Sequence, residues 1–186
     1  MDPVLVQAHT LTALQAVISR NRPPGVPSLL SFGKVVADGA TNVVPDTVRI
    51  EGTFRSMDED WRARAHGLIR RTAEKTAEAF GATCDVEVRE GYPALVNDDA
   101  LAAAVRETAV ALVGQDRVVD LPMWYASEDF AFYTQQIPGC FAVLGVGNEA
   151  AGITHGLHTP QMTVDEAALE AGTAFLAAIA VRQLAA

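Results

Sequence analysis

Cysteine is scarce in this chain of 186 residues: Cys84 and Cys140 stand far apart and form no C-x-x-C pair. A disulfide framework and a thiolate zinc site are therefore not expected. Basic residues are few as well, 14 against 23 acidic, and the net charge of −9 repels phosphate backbones. No nucleic acid partner is expected on that ground. No uninterrupted apolar run approaches the roughly 20 residues that span a bilayer. The alanine-rich C-terminal segment comes nearest, but acidic residues and Arg182 interrupt it. The N-terminus carries no basic stretch followed by an apolar one, so the expectation is a cytoplasmic protein with no membrane partner. Also missing are HExxH, H-x-D and C-x-H-D segments, a Glu-Glu pair, a G-x-S-x-G elbow, a P-loop, and a G-x-G-x-x-G after a strand. Acyl-serine, nucleotide and dinucleotide chemistry thus have no support.

What is present is an ordinary globular composition, 49% hydrophobic with a mean hydropathy of +0.16. The length suits one domain or two small ones with a real core. Asp2-Pro3 announces a first helix, which keeps its period through Val4, Ala8, Leu11 and Ile18 to Arg20. Ser28 to Val36 reads as a strand. Residues 47–55, TVRIEGTFR, alternate with Val48, Ile50, Gly52 and Phe54 on one face and polar side chains on the other. Ser56-Met57-Asp58-Glu59 has the form of a capping box for a second long helix, ended by Gly81. Cys84, Val86 and Val88 then alternate with charged residues in a further strand. The order αββαβ is a ferredoxin-like βαββαβ unit lacking its first strand.

After Gly91-Tyr92-Pro93 the pattern changes. Asn97 caps a helix to about Leu112, Val118–Leu121 reads as a short strand, and Ser127 opens a short helix. The continuous apolar run CFAVLGVG, 140–147, is expected to be a strand covered on both faces. Thr163 to Glu166 is a second capping-box sequence, heading a final helix to about Leu184.

Four histidines are present, and two fall in THGLHTP, 154–160, where glycine and proline argue for a loop. His155 and His158 there could ligate a metal or simply lie on a surface. Arg55, on the polar face of its strand, could fork onto a carboxylate through two charge-assisted bonds. The plainer reading is an exposed contact with Glu51, made by Arg55 or by Arg49 and contributing under about 1 kcal/mol. Asn42, in GATNVVPD, suits a turn for backbone reasons alone. Trp124, Tyr125 and the Glu128-Asp129 pair could line a pocket, or the acids could complement a helix N-terminus. Cys140, opening the apolar run, reads as core.

Three segments together, GATNVVPDTVRIEGTFRS (39–56), ASEDFAFY (126–133) and HGLHTPQMTVDEAAL (155–169), resemble the metal-dependent amidohydrolases of peptidase family M20. The branch is that of aminoacylases, hippurate hydrolases and indole-acetyl-amino-acid hydrolases, and the resemblance runs through essentially the whole chain. It implies an α+β and α/β organisation: residues 1–92 an incomplete ferredoxin-like lid that mediates dimerisation, and 93–186 the C-terminal part of a two-metal catalytic domain. It implies that His158 is a metal ligand and that Asn42 and Arg55 hold the substrate carbonyl or carboxylate, in places across a subunit boundary. The implied reaction is hydrolysis of N-acyl amino-acid or small peptide amides by a metal-bound water that a glutamate deprotonates. The metal would be zinc, manganese, cobalt or nickel.

Family members are considerably longer. Their remaining metal ligands, their catalytic glutamate and the first lid strand precede the segment matched by this chain. The resemblance thus implies no general base here, and the isolated chain is expected to be inactive, with or without a bound metal. Two readings follow: an amidohydrolase segment that works with a separate N-terminal half, or a non-catalytic dimerisation or binding module of the same descent. An unpaired sheet edge adds the expectation of a homodimer or larger assembly.

Overall fold

Asp2 does start the first helix. In the computed structural model, which describes residues 1–185, its side chain accepts the backbone N–H groups of Val4 and Leu5, with Pro3 at the first helical position. The chain follows as α1 (Pro3–Asn21), β1 (Ser28–Val36), β2 (Arg49–Ser56), α2 (Glu59–Ala79), α3 (Asp99–Val113), α4 (Ala131–Thr134) and α5 (Ala167–Leu184). It divides into two compact units, one of residues 1–95 with 125–129 and the other of 96–124 with 130–186.

In the first unit β1 and β2 form an antiparallel hairpin from Ser28↔Ser56 to Val36↔Arg49, with an irregularity between Phe32 and Lys34. Gly52 is required by this pairing, since a Cβ there would lie 2.5 Å from the Ser31 carbonyl oxygen and 2.6 Å from the Phe32 ring. The apolar faces of α1 and α2 close on the hairpin. Leu14, Val17, Leu30, Trp61, Ala65 and Ala73 form the buried cluster, with Phe32, Phe54, Cys84 and Val86 packed against it. Trp61 is its centre: the side chain is buried, its Nε1–H donates to Ser28 Oγ at 2.9 Å, and its ring meets Phe54 edge-on. Truncating such a residue costs about 3–5 kcal/mol. The cap of α2 is Asp58, which accepts Trp61 N–H at 2.7 Å, while Ser56 Oγ accepts the Asp58 N–H.

The expected strand at 84–89 is not one. Its side chains alternate in burial as a strand's would, but β1 and β2 make a two-stranded sheet among the described residues, and the segment joins no ladder. An extended segment becomes a strand only by exchanging backbone bonds with a neighbour, and the unit places no neighbour beside it.

In the second unit α3 and α5 pack together. The Arg182 guanidinium donates to Ala104 O and Thr108 Oγ1, both at 3.2 Å, and pairs with Glu107. α5 buries none of its residues, and by length and composition it would also suit a membrane span. Three details differ from the sequence reading. The cap of α3 is Asp98 rather than Asn97, and Asn97 instead bonds both the N–H and the C=O of Phe141. Residues 118–121 and 140–147 join no ladder, and Val143 and Leu144 are exposed, so no second sheet forms around the apolar run among the described residues. Thr163 to Glu166 form no capping box: α5 starts at Ala167 with Glu166 at its N-cap position and no side-chain cap bond, while Asp165 accepts Asn148 Nδ2 at 2.7 Å and Ala167 N–H at 3.0 Å.

Candidate functional site

The polar face of β2 separates its two arginines. Glu51 is taken by Lys34 Nζ at 2.9 Å and Arg49 Nε at 3.1 Å. The hydrogen bond from Lys34, with the Arg49 charge behind it, holds the Glu51 carboxyl below its ordinary pKa. Arg55 takes no part in this cluster. Its Nη1 donates instead to Tyr125 O at 2.6 Å and Ser127 Oγ at 2.8 Å, in the short segment 125–129 that belongs to the same unit. The plain strand-face pairing therefore holds for Arg49 and not for Arg55.

This anchoring has a chemical consequence. Nε and Nη2 of Arg55 make no hydrogen bond among the described residues, and those two N–H groups form the side-on fork that fits a carboxylate. One nitrogen fixes the guanidinium while the opposite edge stays open. Ser127 reads from the sequence as a helix opener; the structure makes it the arginine's partner, and α4 begins later, at Ala131. The signal was the joint occurrence of the TFR strand and the ASEDF segment, which no local rule connects.

Asn42 lies in a tight turn closed by reciprocal backbone bonds between Ala40 and Val43, 3.0 and 3.1 Å long. Gly39 makes the turn possible, because a Cβ there would meet Val43 O at 2.5 Å and Pro45 Cδ at 2.9 Å. The turn leaves from the Val36/Arg49 end of the hairpin, whereas Arg55 pairs with Leu29 near the other end. Six residues of strand separate those ends, roughly 20 Å. Asn42 is exposed.

His158 lies in the second unit, on an exposed loop. It is the single non-glycine residue among the described residues with a positive φ, +63°. Backbone in that region costs an L-residue about 1–2 kcal/mol, and such outliers gather at functional sites. Thr159 Oγ1 donates to Gly156 O at 2.9 Å, and Thr159 O accepts Met162 N–H at 3.1 Å, which fixes the loop around the histidine. Among the described residues no three His, Cys, Asp or Glu side chains cluster, whereas a catalytic zinc takes three protein ligands. His158 thus belongs to no such cluster. Cys84 and Cys140 are partly buried free thiols, and burial pushes both up in pKa, which keeps them protonated and unreactive.

A mixed α/β chain with an anchored arginine and a strained loop histidine defines a class, and comparison with known proteins defines it further. The family model for peptidase family M20/M25/M40 matches residues 6–182, and the chain belongs to that family. It is 36% identical over 183 residues to N-acetyl-L-cysteine deacetylase of Bacillus subtilis, covering 98% of this chain and 42% of the relative. It is 32% identical over 190 residues to the IAA-amino acid hydrolase ILR1-like 4 of Arabidopsis thaliana, covering 99% and 43%. Among solved structures it is similar to a Bacillus subtilis protein described as a dinuclear metal binding peptidase from the M20 family, with a TM-score of 0.80 and 29% identity over 99% of this chain and 46% of that one. The chain spans less than half the length of these relatives.

Proposed function

We propose that this chain is the substrate-positioning part of a metal-dependent amidohydrolase acting on N-acyl amino acids. Residues 1–92 would be the lid and 93–186 the last part of the catalytic domain. The observation that carries the reading is Arg55, held through Nη1 by Tyr125 and Ser127 with its Nε/Nη2 edge open. A substrate carboxylate on that edge would gain two charge-assisted hydrogen bonds, each about 1.5–3 kcal/mol net before solvent screening. Asn42 would orient the acyl carbonyl of a substrate, either its own or that of a second copy in a homodimer or larger assembly. His158 would be one ligand of the metal.

The complete enzyme's divalent ion, zinc, manganese, cobalt or nickel, would polarise the scissile carbonyl and activate water. The residues described in this chain do not by themselves amount to such a site, and its own contribution is binding and orientation. With a net charge of −9 on the chain, an anionic substrate would be captured at a localised cation such as Arg55. The test is titration of the purified chain with N-acetyl-L-methionine and with its methyl ester, followed by NMR of the arginine Nε–H signals. Arg55 should respond to the acid and not to the ester; equal responses would refute the carboxylate assignment.

A further inference from the structure

Residues 83–97 make no backbone–backbone hydrogen bond among the described residues. Along this stretch the chain passes from the first unit, which ends at Leu95, into the second, which begins at Val96. Backbone groups outside regular structure still need partners, and α2 supplies two from its first turn. Ala94 N–H donates to Glu59 Oε1 at 2.7 Å. The other oxygen of that carboxylate, Oε2, accepts Arg62 Nε at 2.8 Å and lies 2.6 Å from Arg62 Nη2. The remaining nitrogen, Nη1, donates to Tyr92 O at 3.2 Å. Hydrogen bonds therefore run in a circuit from Ala94 through Glu59 and Arg62 to Tyr92. One turn further along α2, His66 Nδ1 is 4.0 Å from Glu90 Oε1. The outgoing chain thus runs antiparallel to the helix, with 90 beside 66, 92 beside 62 and 94 beside 59.

Tyr92 precedes Pro93, which favours extended backbone at 92 and leaves 93 without an N–H. In extended chain the C=O of one residue and the N–H two residues on point to the same side, where a neighbouring strand would meet both. Glu59 and Arg62 meet those two groups with a carboxylate and a guanidinium, so an ion pair stands in for a strand edge. A ladder repeats its bonds over many residues; this pair offers the chain one acceptor and one donor. Arg62 is largely covered, with 17% of its side chain exposed, so the pair is fixed on α2. The chain it grips is not: none of residues 90–96 is buried, and a Cβ on Gly91 would meet nothing within 4 Å. We infer that Glu59 and Arg62 form a clasp that holds residues 92–94 to α2 and opens while the core of the first unit stays folded. An exposed backbone with few buried contacts marks a segment of low local stability. The passage out of the first unit therefore has an opening equilibrium of its own. The inference does not depend on the proposed reaction.

The test is amide hydrogen exchange, read by NMR on the full chain. In the parent protein the Ala94 amide should be protected, yet exchange faster than the amides of β1 and β2. Glu59→Ala should speed Ala94 at least about tenfold, the loss of one hydrogen bond to a charged group. Amides of β1 and β2 should keep their parent rates to within about twofold. Arg62→Gln reaches Ala94 through Glu59 alone, and should speed the same amide at least about threefold. Parent exchange at Ala94 in Arg62→Gln would break the circuit and overturn the clasp. An Ala94 amide that already exchanges at the unstructured rate in the parent would overturn it too. Equal acceleration of Ala94 and the β1 and β2 amides in Glu59→Ala would mean that the segment opens only with the whole unit, and would overturn the inference.

Discussion

Ser127→Ala removes one hydroxyl and, with it, one of the two bonds that hold the Arg55 guanidinium. A hydrogen bond to a charged group contributes about 1.5–3 kcal/mol. This one is on an exposed side chain, so screening reduces it to about 1 kcal/mol. The Tyr125 carbonyl bond at 2.6 Å remains, and the fold of the unit does not depend on Ser127. The loss should therefore appear as a looser fork rather than as lower stability. Affinity for N-acetyl-L-methionine should fall about fivefold, the equivalent of 1 kcal/mol. Affinity for the methyl ester should not change. Arg55→Lys keeps the charge but loses both the anchor and the fork, and should cost about tenfold or more for the acid. Calorimetry or NMR titration measures each constant. If Arg55→Lys binds the acid as tightly as the parent chain, charge and not geometry makes the site, and the reasoning from the anchored nitrogen fails.

Three further outcomes follow from particular residues. His66 is held below its ordinary pKa of about 6.5, first by burial and then by the Arg62 charge; its folded form binds protons less readily than its unfolded form. The stability it contributes is therefore full above pH 6.5 or so and is lost as pH falls through the folded value. Urea midpoints measured from pH 7.5 down to 5 should drop for the parent chain and drop less for His66→Gln. His158→Asn should raise the stability of the metal-free chain by about 0.5–1 kcal/mol, since asparagine tolerates the left-handed backbone better; a destabilisation of that size would show that no strain resides there. Gly39→Ala should disorder the Asn42 turn through contact with Val43 O and Pro45, visible as new exchange broadening of amides 39–46 with the hairpin intact.

The sequence carried most of the first unit. Asp2-Pro3, the strand Ser28–Val36 and a strand through Ile50, Gly52 and Phe54 appear as expected, although burial along the latter does not alternate cleanly. Local rules suffice there, because caps and hairpins are decided by neighbours in sequence. Segments 84–89 and 140–147 failed for one reason: alternation and apolarity report which faces a segment wants buried, not whether a partner is present to complete a ladder. Asn97 satisfied a distant group, Phe141, in place of the cap its position suggested, and the Thr163 to Glu166 sequence lies before the helix start at Ala167. At the site, the motif resemblance pointed to Arg55, Asn42 and His158. Neither the Ser127 anchor nor the positive φ of His158 had any local signature, since the first joins residues 72 apart and the second is imposed by its loop.

The proposed role of this chain is to position a substrate, while the metal chemistry needs ligands that its described residues do not cluster. The most direct measurement is elemental analysis of the purified chain after dialysis, with an N-acetyl-amino-acid hydrolysis assay on the same sample. Substoichiometric metal and no turnover, together with carboxylate binding at Arg55, is the predicted result. Near-stoichiometric, tightly held metal with turnover would contradict it, and would mean that residues of this chain assemble a complete centre.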